Sequence, residues 1–176
     1  GRPRRFVDGK DVGQVVAVVR APAGYPLPVR LSQIGAVVMV DEDGALRRRA
    51  EVVERAVTLI TQPFPWEQIE GLAIALQTHG LRLVHARSPV VDDDAALFDY
   101  RLSRKVTFNA SNNEMKQLEE GLAAQLEADS ALAASQGPTV IDGRLEPRFA
   151  GRDQTSAVIG VVKTHQRRYL HPLGLQ

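Results

Sequence analysis

Phe6-Val7-Asp8-Gly9 and Val140-Ile141-Asp142-Gly143 are two short apolar runs, far apart in the chain, that each close on Asp-Gly. Each reads as a buried strand with a carboxylate at its tip, followed by a glycine that lets another group come close to the backbone. Carboxylates held in this way are a common means of building a metal-ion site, because hard cations prefer oxygen donors. The two can converge only if their strands are neighbours in one sheet. For either dipeptide alone a hairpin turn is the competing reading, since Asp-Gly is also a favoured turn sequence.

Outward from these runs, strand-like and helix-like signals alternate. Residues 14–20 and 36–40 are rich in valine and read as strands, with a Pro/Gly-rich surface loop over 21–28 and a turn at Asp41-Glu42-Asp43-Gly44. Residues 45–60 place Val52, Val53, Ala56, Leu59 and Ile60 on one face of an expected helix, which Pro63 and Pro65 terminate. A second helix is expected over 66–78 with Gly80 as its stop, then a short strand over 81–85 and a linker to residue 91. Asp92-Asp93-Asp94 reads as the polar start of a short helix through Leu97, and a long helix is expected over about 113–133. Strands over 139–141 and 157–162, separated by a charged loop over 144–154, complete one domain spanning residues 1–176. This pattern indicates an α/β domain with a mixed β-sheet flanked by helices.

With 176 residues and a formal net charge of +1, the chain can bury a sizeable core and carries no global field for nucleic acid, so any such contact must come from local clusters. It has no cysteine, which excludes a disulfide framework, thiolate zinc sites and a cysteine nucleophile. No apolar stretch is long enough to span a bilayer, and the expectation is a cytoplasmic protein with no membrane contact. Gly1 in place of methionine suggests that residues are missing from the ends. No P-loop, G-x-G-x-x-G fingerprint or G-x-S-x-G elbow is present, so ATPase, dinucleotide-enzyme and serine-hydrolase readings have no support.

The long helix supplies a third carboxylate. Met115, Leu118, Leu122 and Leu126 form its apolar stripe, and Glu119 falls within that half of the surface, whereas Glu120 points close to the opposite side. A carboxylate facing a core costs several kcal/mol, roughly the transfer penalty of an ionised group, unless an ion or partner satisfies it. A metal ion would satisfy it; a place at the stripe's margin, with the carboxylate in water or paired to an arginine, is the other reading. Lys163 ends the strand Val158-Ile159-Gly160-Val161-Val162-Lys163 at a position comparable to Asp142, where it could hold a phosphate or balance the acids; a solvated strand end is the alternative. Three basic groups, Arg2 to Arg5, Arg101 to Lys105 and Lys163 to Arg168, could contact phosphates if they share a groove. The candidate contacts are Arg5, Lys10, Arg144, Lys163, Arg167 and Arg168. His165 and His171 match no common zinc spacing.

Taken together, Phe6-Val7-Asp8-Gly9, Lys116-Gln117-Leu118-Glu119, Ile141-Asp142-Gly143-Arg144-Leu145 and Ile159-Gly160-Val161-Val162-Lys163-Thr164 resemble the NurA nucleases in order and character. The resemblance implies an RNase H-like fold, related to the Argonaute nuclease domain. It also implies DNase activity dependent on Mn2+ or Mg2+, with a HerA-type hexameric ATPase translocase as partner and a homodimer matching the even-numbered ring. On this resemblance Asp8, Glu119 and Asp142 match the family's acidic metal ligands, and Lys163 matches the lysine of its Gly-Val-x-Lys segment; a catalytic role for Lys163 is our own reading. Lys10 and Arg144 depart from the family, which usually has a small hydroxyl residue after each Asp-Gly. Family members also continue past the point where this chain stops, with later Tyr and His residues in the site. Two alternatives stay open: a catalytically inactive scaffold that docks on the translocase and threads DNA, and an RNase H/Argonaute-like nuclease acting on RNA or hybrid. The setting, DNA repair or defence, is open as well.

Overall fold

Three long strands open the chain because two tight turns fold it back on itself. In the computed structural model, which describes residues 3–87, 99–128, 137–142 and 158–161, β1 (Arg5–Arg20), β2 (Pro26–Glu42) and β3 (Ala45–Ile60) form an antiparallel meander. Asp43 and Gly44 are the whole connection between β2 and β3, with φ of 55° and 85°. Positive φ at both central residues gives a turn whose twist matches the flanking strands. The Gly44 N–H donates to the Asp41 carboxylate at 2.9 Å and locks the turn.

β3 overturns the expected helix over residues 45–60. The residues assigned to one helical face instead alternate between two sheet faces: Val52, Ala56 and Ile60 on one, Val53 and Leu59 on the other. Val52, Val53, Val57, Thr58 and Ile60 are β-branched and suit a pleated surface. The two-residue turn then fixes their register along the whole of β2, with an irregularity at Val38/Met39 that leaves Arg49 unpaired with any β2 residue. Helical spacing and strand alternation coincide over several of these positions, and the long-range pairing decided between them.

α1 (Trp66–Gln77) crosses from β3 to β4 (Arg82–Ala86), which pairs parallel with β3, much as the sequence predicts. Gly80, at φ 67°, ends that helical segment. On the other side β5 (Thr139–Asp142) pairs parallel with β1, and β6 (Val158–Val161) parallel with β5. Among the described residues the sheet is six-stranded and mixed, in the order β4-β3-β2-β1-β5-β6. The expected helix over 92–97 and the loop over 144–154 lie outside the described residues.

α2 (Tyr100–Ala128) is the long helix, and it begins thirteen residues before the expected start at 113. Asp99 caps it: one carboxylate oxygen accepts from the N–H of Arg101 at 2.8 Å and of Leu102 at 3.3 Å. Along the early turns Leu102, Val106 and Ala110 pack on the core, and Ser103, Thr107 and Ser111, at the same four-residue spacing beside them, are buried as well. Ser111 donates to the Ser32 hydroxyl on β2 at 3.1 Å. Farther along, Met115 and Leu118 pack by Ile34, Ala56 and Val84, and Leu122, Ala123 and Leu126 pack on Val7, Val38, Val40 and Ile141. At about 1.5 Å per residue the helix is about 42 Å long and spans the sheet from the β2–β4 side to the β1–β5 seam. No helix among the described residues is long and apolar enough to cross a membrane.

Candidate metal centre

The seam between β1 and β5 brings the two Asp-Gly carboxylates together. Arg5, Phe6 and Val7 pair with Thr139, Val140 and Ile141, so the next step in register sets Asp8 beside Asp142, on neighbouring strands about 5 Å apart. Asp142 is the last residue of β5 and pairs with Val161 of β6. Asp8 is not at a strand tip, as β1 runs on to Arg20; nor is it in a turn. What ends at this level is β5. Val7 and Ile141 point into the core beneath α2, so Asp8 and Asp142 carry the opposite strand parity and share the other face.

Glu119 approaches the same seam from α2, on the sheet face opposite the two aspartates. Its side chain is 4 % exposed and lies across Gly9: a Cβ built at Gly9 would stand 2.7 Å from Glu119 Oε1 and 2.9 Å from its Cγ and Cδ. The absent side chain at Gly9 is therefore what admits the carboxylate. Burial pushes the Glu119 carboxyl up to about 7, and the charge of Asp8 adds to the push. A backbone hydrogen bond from Gly9 opposes it, Asp142 raises it further, and Lys116 lowers it. Glu119 of α2 thus feels the charges of Asp8 on β1 and Asp142 on β5 across the seam.

These oxygen donors fit a hard divalent ion in kind, and the Gly9 gap is a cradle that any larger residue would fill. Among the described residues, no group of three or more His, Cys, Asp or Glu side chains is close enough to hold a metal ion as it stands.

The basic residues divide. Lys10 is exposed on β1 and has the same parity as Asp8. Arg5 is withdrawn as a phosphate contact: it is fully buried, and its Nη2 donates to the Gly137 carbonyl at 2.7 Å, tying β1 to the entry of β5. Arg144, Lys163, Arg167 and Arg168 lie outside the described residues.

A second charged cluster escaped the sequence reading. Arg30 of β2 and Asp11 of β1 form a buried pair beneath α2, each Asp11 oxygen accepting from Arg30 Nη2 at 3.2 Å. Arg30 also donates to the Gly13 carbonyl at 3.1 Å, and its guanidinium lies 5.1 Å from the centre of the Phe108 ring. The available signal was phase: Arg30 alternates in step with the core residues Ile34, Ala36, Val38 and Val40. No protein-family model matches the chain, and no curated protein matches it either.

Proposed function

We propose that this chain is a divalent-metal-dependent nuclease that hydrolyses DNA phosphodiester bonds at the junction of β1, β5 and α2. The observation that carries the reading is the electrostatic coupling of Glu119 to Asp8 and Asp142, from three distant parts of the chain, across the β1–β5 seam, with Glu119 buried and its carboxyl raised to about 7. A strongly perturbed carboxyl beside further acids is a recognised mark of functional sites. The RNase H-like reading is supported by an antiparallel β1-β2-β3 meander, by β5 and β6 running parallel with β1 on its other edge, and by a helix preceding β5 that carries the third acid. Membership of the NurA group, the HerA-type ATPase partner and the homodimer rest on the sequence resemblance alone.

In this reading Asp8, Asp142 and Glu119 hold Mn2+ or Mg2+. Such an ion supplies Lewis acidity at the phosphoryl group and makes an attacking water more acidic. The chain's own part is positional. The β1–β5 register fixes the spacing of the aspartates, Gly9 sets the depth of Glu119, and Glu119 would have to be ionised to hold such an ion. A scaffold without catalysis is the second reading, favoured by Lys10, whose ammonium shares a strand face with Asp8.

The test is cleavage of end-labelled single-stranded and duplex DNA with Mn2+, with Mg2+ and with chelator, comparing the chain with Asp142→Ala and Asp8→Ala. The expected result is metal-dependent cleavage reduced at least about 100-fold in either variant, the scale expected when a group central to transition-state stabilisation is lost. Cleavage that persists in chelator or in both variants would overturn the reading. No cleavage by the folded chain would favour the scaffold.

A further inference from the structure

Between the first turns of α2 and the middle of β1 lies a cleft of about 880 Å³, lined by Arg30, Tyr100, Arg101, Arg104, Lys105 and Phe108 and, from β1, by Gly13, Gln14 and Val15. Among the described residues no acidic side chain lines it. Asp11 already neutralises Arg30, so Arg101, Arg104 and Lys105 give the cleft its positive charge. Phe108 is 49 % exposed, and its ring lies against Arg30. An apolar ring backed by a buried cation, beside three solvent-facing cations, presents one surface for a flat π-system and another for phosphates.

We propose that this cleft binds single-stranded nucleic acid, with Phe108 stacking a base while Arg101, Arg104 and Lys105 hold backbone phosphates. The inference rests on the nucleic-acid reading above for its placement relative to the carboxylates, but not for its binding chemistry. Duplex does not suit the cleft, because stacking on Phe108 requires an unstacked base. Gly9 and Gly13 are four residues apart on β1, about 13 Å, and both sit under the same flank of α2. A strand seated on Phe108 would therefore reach the Gly9–Glu119 level of the seam within about four nucleotide steps of ~3.4 Å.

The experiment is fluorescence anisotropy of labelled oligo-dT on the full chain in chelator, where cleavage plays no part, across a salt series. Phe108→Leu should weaken binding about five- to a hundredfold, as expected for one lost stacked base. Phe108→Trp should keep it. Arg104→Ala with Lys105→Ala should reduce the salt slope by about 1.4, at 0.7 per phosphate contact on a single strand. Inorganic polyphosphate, which has charge and no base, should be insensitive to Phe108→Leu. Failure of the chain to bind oligo-dT would overturn the proposal, as would variants that bind it like the parent or equal loss of polyphosphate and oligo-dT in Phe108→Leu. Circular dichroism of each variant checks folding, and Phe108→Trp guards against a merely structural effect. Binding through the cleft without metal-dependent cleavage would sink the nuclease reading and leave this one standing; cleavage with variants that bind normally would do the reverse.

Discussion

Gly9 and Gly13 stand four residues apart on the α2-facing side of β1, and each lies under a charged side chain, yet the two places are electrical opposites. At Gly13 a Cβ would stand 2.9 Å from Arg30 Nη2, and that guanidinium is matched by the Asp11 carboxylate. At Gly9 the buried group is Glu119, and the aspartates that raise its carboxyl, Asp8 and Asp142, are of its own sign, while the opposing charge of Lys116 has the smallest effect. The same backbone device serves a balanced pair in one place and an unbalanced acid in the other. A balanced buried pair is what a structural role requires, while an unbalanced one persists where something else is to be bound.

The comparison breaks most sharply at Asp11. Asp11→Ala leaves Arg30 buried without its partner and should cost about 3–5 kcal/mol, measured by urea denaturation. Removing the charge at the other place should do the reverse, because Glu119→Gln deletes a burial cost and the opposite charge it leaves, Lys116, is exposed to solvent.

Next in size is Gly13→Ala, whose methyl would meet the Leu31 carbonyl at 2.7 Å and the Ser32 hydroxyl at 2.3 Å. Backbone cannot step aside, so a loss of about 3 kcal/mol is expected, at the upper end for overpacking. Gly9→Ala meets only the side chain of Glu119 and should cost about 1–2 kcal/mol in the same assay. If Gly9→Ala proved the more damaging of the two, the Glu119 side chain would be held far more rigidly than a lone buried acid needs to be.

The pH dependence sharpens the contrast further. The Glu119 carboxyl is raised from 4.5 to about 7, so the folded chain favours its protonated form. Its destabilising effect is absent below pH 4.5, grows from there to pH 7 and is complete above. Allowing for solvent screening, Glu119→Gln should gain about 2 kcal/mol over the parent at pH 8 and nothing at pH 4.5. Equal urea midpoints for the two proteins at pH 8 would remove the charge imbalance on which the site reading depends. The smallest expected effect is a thermal shift: millimolar Mn2+ at pH 8 should raise the parent's midpoint by a few degrees and leave Glu119→Gln unmoved, as expected if binding is selective for the folded state.

Asp8, Glu119 and Asp142 could be singled out in the sequence because each signal was local: an apolar run before Asp-Gly, and an acid in the phase of a leucine stripe. Their coupling could not, as it depends on β1 and β5 being neighbours. The misreading of residues 45–60 had a related cause, since only pairing with β2 distinguishes the strand from a helix of the same composition. The first turns of α2 were hidden for a different reason: Ser103, Thr107 and Ser111 are buried yet carry no hydrophobic signal. Arg30 was hidden because a charge in core phase is meaningful only once its partner Asp11 is known.

The extended path of β1 from Gly9 to Gly13 also limits how this segment can change. Side chains on a strand alternate, so inserting or deleting one residue in that interval would turn one glycine away from α2 and put a side chain in its place. The bulge at Val16 lies just past Gly13 and leaves the interval itself regular. Related sequences would therefore be expected to vary freely in residue type between these two positions while keeping their count fixed, so that the length of this segment, more than its composition, identifies a relative with the same layout.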